Sequence, residues 1–517
     1  MVLDLGSLSR GKAATISRGN NVPVCTHAQP HLPGEIFLTI SEFLGNAETL
    51  ALSISCSDLR TLLMPAMYRT VELQSNRACR LGLVMFRQHP HLCAFIRTLI
   101  VRPNSPVPSW PRLNGWMNEV QLTLLIEELS SRLNNLRKFE WGGLELPDGG
   151  MWAALRSCCP LLKTIHSTVG SKYLEPQCEL FSFENLQSFS LCAHPGQRNI
   201  SEMPLPSQLW EMLIERCPKL EELTLRLFHS PHSLRELDTL TSCTFPSLRA
   251  FHIEIWLSST DPGLSSPSLP CFGKFLSAHP NLLDLSILPY ANTRPSGALP
   301  LFLASTALPR LQSFVGVAEH LAELPNPASI TVLDLTGDPV DETGVNSVAS
   351  LLKRLVSLHT LDIRIAHPSL LVSILVAVPA LSTLRIMFPC GFNTKTLNEI
   401  SLALHERLPC LRSFTLYKIH HRMDASMLRS ALVLFAKNPR FERVDLAWFT
   451  AARFQRKQNG SYVVVRRRGV EYLDVWERGI RTGIGGRLTQ RSFQRRFQYH
   501  FEDHWWGFVR DWVRNRW

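Results

Sequence analysis

The sequence predicts an α/β fold in which short parallel strands alternate with helices along most of the chain. Three observations predict it: a recurring apolar triplet, a proline two residues before many of its copies, and apolar residues at helical spacing between the copies. The triplet Leu220/Leu223/Leu225, preceded by Pro218, shows the full pattern Leu-x-x-Leu-x-Leu.

The triplets account for the strands. The second and third apolar residues are two positions apart, so both point to one face of a strand while the residue between them points to the other. One face of every strand is therefore expected to be buried. The other copies are Ile96/Leu99/Val101, Leu136/Phe139/Trp141, Leu162/Ile165/Ser167, Leu186/Phe189/Leu191, Leu248/Phe251/Ile253, Leu282/Leu285/Ile287, Leu311/Phe314/Gly316, Ile330/Leu333/Leu335, Leu358/Leu361/Ile363, Leu381/Leu384/Ile386, Leu411/Phe414/Leu416 and Phe441/Val444/Leu446.

The intervals between the triplets account for the helices. In one interval Leu397, Ile400 and Leu404 recur every three or four residues, as on a helix with one apolar face. The proline that follows cannot continue a helix and favours an extended chain. Each repeat is thus read as helix, proline turn and strand, and stacked repeats bury one continuous apolar face. A generic α/β fold is the alternative.

This pattern resembles the leucine-rich-repeat family over roughly residues 90–448. The resemblance implies a solenoid with parallel strands on its concave side, here placed at residues 77–449. The asparagine that the family carries eight residues after the first leucine is replaced, for example by Phe228, and the repeat length varies. An irregular leucine-rich-repeat-like solenoid is therefore expected.

The segment 31–76 has a different pattern, typical of three short helices. Pro33 stands where a helix can begin without losing a hydrogen bond. Ile36, Ile40, Phe43 and Leu44 have the spacing of a helix with one buried face. A second helix is predicted near Glu48–Leu59 and a third ending around 65–68. So small a module folds marginally alone, which favours a partner that helps to bury it.

The same segment resembles the F-box, in particular the fungal kind that precedes diverged leucine-rich repeats. The resemblance lies in the opening Leu32-Pro33-Gly34-Glu35-Ile36 and in the later Tyr68-Arg69-Thr70-Val71-Glu72-Leu73, whereas the tryptophan usual near the second helix is missing. It implies docking onto a Skp-type adaptor and, through it, a cullin scaffold. The implied adaptor contacts are Leu32, Pro33, Ile36, Ile40, Leu44 and Leu52. The alternative is that these residues only pack the first end of the solenoid.

A target protein is expected to bind where strand residues face away from the core. These positions hold polar side chains of both signs, as in a protein-binding surface, although an ordinary solvated sheet face is the alternative. Since a few residues usually dominate an interface, the predicted target-binding residues form two clusters. They are Arg226 and Glu254 in the first, and Asp362, Arg364 and Arg385 in the second.

The last segment, 450–517, is predicted to be a basic aromatic C-terminal cap. Fifteen of the 54 lysines and arginines and six of the 43 acidic residues lie there, a net charge of +9. Its aromatic residues can cover the open end of the solenoid, as the last repeat requires. Alternatively, basic and stacking residues together bind RNA or single-stranded DNA. The basic residues singled out are Arg466, Arg467, Arg468, Arg495 and Arg496.

Composition and motifs narrow the function further. The chain is 45% hydrophobic and 19% charged, which excludes disorder along its whole length, although residues 1–30 are expected to form a disordered leader. The sequence contains no apolar run of membrane-spanning length, and neither a catalytic motif, a metal ligand set nor a cofactor motif is present. Thirteen scattered cysteines favour a reducing compartment, cytoplasmic or nuclear.

Together these features predict a non-catalytic substrate-recognition subunit of a Skp–cullin–F-box type ubiquitin ligase. The helical module binds the adaptor and the solenoid binds an unknown target protein. The alternatives are a nucleic-acid-associated protein and a general protein-interaction scaffold, both using the basic C-terminal segment.

Overall fold

The structure is a computed structural model that describes residues 33–104, 118–170, 174–193, 205–228, 239–240, 243–255, 268–289, 301–419, 426–449, 456–467, 470–477 and 480–487. Within these ranges the residues up to Phe275 form one compact unit, unit 1, and those from Leu276 onward form unit 2. Each unit contains parallel strands and helices, so the predicted α/β class is confirmed.

Unit 1 begins with three helices, α1 (Gly34–Phe43), α2 (Asn46–Ser53) and α3 (Ser57–Tyr68). The second helix was predicted to reach residue 59, but it ends at residue 53. The third begins at residue 57 because the Sγ atom of Cys56 accepts a hydrogen bond from the backbone N–H of Leu59, at 3.4 Å, and caps it.

Seven parallel strands follow in unit 1. They are β1 (Thr70–Leu73), β2 (Thr98–Val101), β3 (Lys138–Trp141), β4 (Thr164–Val169), β5 (Ser188–Ala193), β6 (Glu222–Phe228) and β7 (Ala250–Ile255), each paired with the next. Residues 70–73, predicted within the 31–76 module, therefore form the first strand of this sheet.

Helices and short turns connect these strands or follow the last of them. They are α4 (Asn76–Gln88), α5 (Glu119–Ser130), α6 (Gly149–Cys158), α7 (Ser207–Glu211, continued by a π-turn over Met212–Arg216) and α8 (Ser268–Ser277), with 3₁₀ turns at Pro90–Phe95 and Glu179–Ser182. Only the residues of α8 up to Phe275 belong to unit 1.

The core of unit 1 lies between its sheet and its helices. Every described triplet residue of this unit is buried, as the spacing predicts. The rings of Phe139 and Trp152 meet edge to face with centroids 5.7 Å apart, and those of Phe251 and Phe275 lie 5.2 Å apart. Such aromatic pairs add to the hydrophobic stabilisation of the core.

Unit 2 repeats the arrangement. Its parallel strands are β8 (Asp284–Pro289), β9 (Ser313–Val315), β10 (Val332–Val340), β11 (Thr360–Ile365), β12 (Thr383–Phe388), β13 (Ser413–Ile419) and β14 (Arg443–Phe449), each paired with the next. Its helices are α9 (Ala318–Glu323), α10 (Val345–Leu352), α11 (Leu371–Ala377), α12 (Thr394–Arg407) and α13 (Met427–Lys437), with 3₁₀ turns at Pro327–Ser329 and Pro368–Leu370.

Local chemistry fixes where these helices begin. The side chain of Asn393 accepts a hydrogen bond from the backbone N–H of Thr396 at 3.1 Å, and Ser426 does the same for Arg429 at 3.2 Å. Each side chain satisfies a donor that a helix leaves unpaired at its first turn.

The sheet of unit 2 continues into the basic C-terminal segment with reversed strands. The strands are β15 (Arg456–Arg467), β16 (Val470–Glu477) and β17 (Ile480–Arg487). β15 pairs antiparallel with β14, and β16 and β17 follow antiparallel in turn. These strands were not predicted from the sequence, because the Leu-x-x-Leu-x-Leu spacing ends with β14.

Candidate functional site

The outer side of helix α1 carries large apolar side chains exposed to solvent. Ile36 is 42% exposed, Ile40 38% and Phe43 84%. Their spacing of four and three residues places them on one face of the helix, here called the outer stripe. The spacing predicted one buried face for this helix and assigned Ile36 and Ile40 to the contact with an adaptor; within the chain itself the outer stripe is exposed.

The opposite side of α1 explains this orientation. Gly34, Phe37 and Ser41 recur at helical spacing, and of these Ser41 is buried and the other two are half-buried. A Cβ atom at Gly34 would lie 3.4 Å from a methyl group of Leu62 on α3. Gly34 lets α1 approach α3 closely on this side, and Ile36, Ile40 and Phe43 lie on the other side of the helix.

Of the other predicted adaptor contacts, Leu44 and Leu52 are half-buried and Pro33 is exposed, directly before the first turn of α1. Leu32 lies outside the described residues. The exposed residues Leu50 and Ile54 were not predicted as adaptor contacts. They add to the apolar surface of α2 and its C-terminal turn.

The sheet of unit 1 carries a chain of polar contacts on the face that points away from its core. The contacts join side chains from β1 and β3–β6 and from the residue after β2. We call this set the polar ladder. Its members are Glu72, Arg102, Glu140, His166, Ser188 and Glu222.

Arg102 is the centre of the first half of the polar ladder. One terminal nitrogen of its guanidinium lies 3.0 Å from Oε1 of Glu72, and its Nε donates to Oε1 of Glu140 at 2.9 Å. Burial alone would raise the pKa of Glu140, but its contacts with His166 and Arg102 outweigh burial and hold that pKa at about 2. Glu140 is therefore ionised at neutral pH.

The second half of the polar ladder places a carboxylate, an imidazole and a hydroxyl in sequence. Nδ1 of His166 lies 3.7 Å from Oε2 of Glu140, and Nε2 lies 3.1 Å from Oγ of Ser188. The Ser188 hydroxyl donates its proton to Glu222 at 2.9 Å. A serine that gives its only proton to a carboxylate is not activated by the histidine, so this geometry does not make Ser188 a nucleophile that His166 activates.

The first predicted target-binding cluster lies beside the polar ladder. Arg226 on β6 and Glu254 on β7 are both half-buried. Burial raises the pKa of Glu254, and the positive charge of Arg226 opposes the rise. The Nε atom of Arg226 is buried and has no hydrogen-bond partner among the described residues. The carboxyl of Glu254 and the guanidinium of Arg226 thus interact electrostatically, while target binding by this cluster stays a prediction.

The second cluster lies on the sheet face of unit 2. Asp362 and Arg385 stand opposite each other on β11 and β12, and their side chains form an ion pair of 2.7 Å. Asp334 stands opposite Asp362 on the other side, on β10. Arg364, two residues along β11, is half-buried, and its buried Nε has no hydrogen-bond partner among the described residues.

Asp362 is destabilised in its charged form. Burial raises its pKa to about 6, and the negative charge of Asp334 adds to the rise, while Arg385 opposes it. Like charges directly opposite on neighbouring strands repel. This carboxylate therefore costs folding free energy at neutral pH, and the cost is relieved as the pH falls below 6.

Replacing Asp362 with asparagine is accordingly expected to raise the free energy of unfolding at pH 7.5 by about 1 kcal/mol, because the gain from removing the charge exceeds the loss of the ion pair. The gain shrinks as the pH falls from 6 towards 3.8 and disappears below it, where Asp362 is protonated in both states. Urea denaturation of both proteins across this pH range measures the difference. A variant less stable than the parent at pH 7.5 contradicts the sign.

Most of the basic residues predicted to be important near the C-terminus lie outside the residues that the structure describes. Arg466 and Arg467 are the last residues of β15, and Arg468, Arg495 and Arg496 lie outside the described residues. Whether this segment acts as a cap therefore stays a prediction.

Other chemical groups are few in the described part of the chain. Eleven of the cysteines in the described ranges have side chains that form no disulfide. No group of three or more histidine, cysteine or acidic side chains in the described ranges is arranged to hold a metal ion. Among the same residues, no helix combines the length and apolar character needed to cross a membrane.

Comparison with known proteins gives structural likenesses only. Models of known protein families give no match to the sequence, and curated proteins give none either. Among solved structures, the complex of Rad7 and Elc1 from yeast is similar with a TM-score of 0.40 and 12% identity, covering 76% of this chain and 89% of that one. The leucine-rich repeat-containing protein LegL7 from Legionella pneumophila has a TM-score of 0.33 and 15% identity, covering 62% and 92%. Both TM-scores are low, and no functional conclusion follows from them.

Proposed function

We propose that this chain is a non-catalytic substrate-recognition subunit of a Skp–cullin–F-box type ubiquitin ligase. It binds a Skp-type adaptor, and through it a cullin scaffold, with helices α1–α3, and it binds a target protein with its polar sheet faces. The observation that carries the proposal is the outer stripe of Ile36, Ile40 and Phe43, exposed on a module whose sequence resembles the F-box.

The outer stripe has the physical character of a docking surface. Isolated apolar residues on a surface are ordinary, but three large ones on one helix face form a continuous strip. Burial by a partner contributes at most about 1.5 to 3 kcal/mol for Phe43, and less than half of that for each of Ile36 and Ile40, which are already more than half buried. A helix that presents such residues at intervals of three and four suits a hydrophobic groove on another protein.

The sheet faces supply the second contact that the proposal needs. The polar ladder in unit 1 and the Asp362–Arg385 pair in unit 2 hold charged groups in fixed positions, with their hydrogen bonds partly made within the chain. Groups held in place lose little entropy when a partner binds. The eleven described cysteines that form no disulfide support a reducing compartment, the cytoplasm or the nucleus.

The proposed role requires no chemistry from this chain. A target held by one protein surface, while the adaptor holds another, is kept near the ubiquitin-conjugating machinery at a high effective concentration. Proximity of this kind accelerates a transfer that other subunits catalyse. The chain therefore needs two rigid binding surfaces and no active site.

The test is recovery of a purified Skp-type adaptor by the full chain. Ile36→Asp combined with Phe43→Asp is expected to reduce recovery at least tenfold, because each carboxylate would have to be desolvated at the interface. Both side chains are exposed in the free protein, so its thermal stability is expected to stay within a few degrees of the parent value.

The matched control is Val372→Asp combined with Val376→Asp, two exposed apolar residues on helix α11 of unit 2. This variant is expected to recover adaptor like the parent. The proposal is contradicted if the α1 variant still recovers adaptor, or if the parent chain recovers none. Nucleic acid recovered in place of adaptor would support the competing role of the basic segment 450–517.

A further inference from the structure

The sheet face of unit 2 has an acidic zone on strands β10 and β11. Asp334 and Asp362 stand directly opposite each other in the strand register, with strand axes about 4.8 Å apart. Asp338 lies further along β10; burial raises the pKa of its carboxyl, and the negative charge of Glu319 at the start of α9 adds to the rise. Two strands and one helix thus contribute four carboxylates, of which Asp334 and Asp362 stand directly opposite each other.

The cations in this zone do not balance its carboxylates. Arg385 pairs with Asp362 at 2.7 Å, and the positive charge of Arg364 acts on Asp338. Asp334 instead accepts hydrogen bonds from the backbone N–H and hydroxyl of Thr336. Two arginines against four carboxylates leave an excess of negative charge, which fits a cationic group on a partner.

A neighbouring zone on β12–β14 is apolar and aromatic. The rings of Tyr417 and Phe449 lie 5.9 Å apart, and Met387 stands opposite Tyr417 in the register of β12 and β13. All three side chains are half-buried, so part of each faces solvent. An apolar side chain of a partner can therefore pack against two adjacent rings.

The register sets the separation of the two zones. Tyr417 lies two strands from Asp362 and two residues further along the strand direction, which corresponds to about 12 Å between their Cα atoms. An extended chain advances about 3.3 Å per residue. Two side chains four residues apart lie on the same face of an extended segment and about 13 Å apart, which is close to this distance.

We propose that this face of unit 2 binds an extended, basic segment of the target protein. A lysine or arginine of that segment contacts Asp334 and Asp362, and an apolar or aromatic residue four positions away packs on Tyr417 and Phe449. The inference rests on the proposed function, since it specifies the target that the substrate-recognition subunit selects. A segment phosphorylated at the position facing the acidic zone is repelled.

The protonation of Asp362 gives this recognition a pH dependence. Burial, together with Asp334 on β10, raises the pKa of Asp362 to about 6 against the opposing charge of Arg385 on β12. A cation beside these carboxylates favours their charged forms. Binding of a basic segment is therefore expected to weaken as the pH falls through 6.

The experiment selects ligands for the full-length protein from displayed random 12-residue peptides at pH 7.5. The expected result is enrichment of lysine or arginine with an apolar or aromatic residue four positions away. A synthetic peptide of the selected sequence is then measured by fluorescence anisotropy against the parent, against Asp334→Asn combined with Asp362→Asn, and against Tyr417→Ser. Each variant is expected to bind at least tenfold more weakly.

The matched control is Glu399→Gln combined with Glu406→Gln, which removes two exposed charges from helix α12 of the same unit and is expected to leave affinity unchanged. The inference is overturned by selection of acidic sequences, by failure to select any sequence, by equal binding to the Asp334/Asp362 variant, or by tighter binding of a phosphoserine version. Recovery of the adaptor is measured on the same protein. If the protein recovers adaptor but selects no peptide, only the inference about the basic segment is contradicted. If it selects the expected peptides but recovers no adaptor, only the ligase role is contradicted.

Discussion

Replacing Arg102 with methionine is expected to lower the free energy of unfolding of unit 1 by about 2 to 3 kcal/mol. Arg102 bridges Glu72 and Glu140, which lie two strands apart in the sheet. Without the guanidinium, both carboxylates remain half-buried but lose the positive charge beside them. The full cost of an unpaired buried charge is larger, but the Arg102 side chain is 36% exposed, so solvent screens part of the loss.

The pH dependence of stability identifies the source of this loss. The pKa of Glu140 is lowered from 4.5 to about 2 in the folded protein, so its stabilising contribution is fully present above pH 4.5 and is lost as the pH falls through 2. The contribution is at most about 3 kcal/mol. In the Arg102→Met variant, the decrease in the free energy of unfolding on acidification is expected to be smaller and to occur at higher pH. Chemical denaturation of both proteins between pH 2 and 7 measures this difference.

A surface ion pair in the same unit provides the control. Arg156 and Glu179 lie 2.9 Å apart with both side chains more than a third exposed. Arg156→Met is expected to cost less than about 1 kcal/mol. Equal losses for the Arg102 and Arg156 variants would show that the polar ladder adds nothing beyond ordinary surface pairing, and its role as a preorganised recognition surface would then lose its physical basis.

The strands could be predicted because the information for them is local. Each apolar triplet carries its own alternation, so even Ser167 and Gly316, which replace the last apolar residue of their copies, are buried at the predicted place. The register follows from the same repetition, since Leu223 stands opposite Phe251 and Leu384 opposite Phe414. A pattern repeated along the chain therefore predicts both the strands and their order.

The candidate sites were predicted less well because they depend on contacts between distant residues. Helical spacing shows that Ile36, Ile40 and Phe43 share a face, but not whether that face meets the chain or solvent. The answer depends on Gly34, which brings the other side of α1 against Leu62. Likewise, outward strand positions were predicted as a polar row, whereas the bridging role of Arg102 depends on its reach across neighbouring strands.

Lys418 shows a further limit of the pattern. Alternation on β13 places it on the buried side with Phe414 and Leu416, where an apolar residue is expected, and its side chain is indeed only 2% exposed. The ammonium lies 4.6 Å from the ring centroid of Phe392 and 4.7 Å from that of Trp448, and it donates to the backbone carbonyl of Phe392 at 2.9 Å. Two aromatic rings and a carbonyl thus stabilise a charge in the core.

Lys418→Ala is accordingly expected to lower the free energy of unfolding of unit 2 by about 4 kcal/mol, because it removes the aliphatic stem, both ring contacts and the donor to the carbonyl of Phe392. Lys418→Met keeps most of the aliphatic stem, so it is expected to lower the free energy of unfolding by only about 1 to 2 kcal/mol. This smaller decrease measures the contribution of the ammonium group alone. Lys395→Ala, at an exposed position on α12, controls for loss of a lysine charge and is expected to change stability by less than about 0.5 kcal/mol. Replacing a buried charge with an apolar residue is often stabilising. A methionine variant as stable as the parent would therefore show that the desolvation cost of the ammonium is as large as the stabilisation from its contacts. Lys418 would then be tolerated in the core rather than needed there.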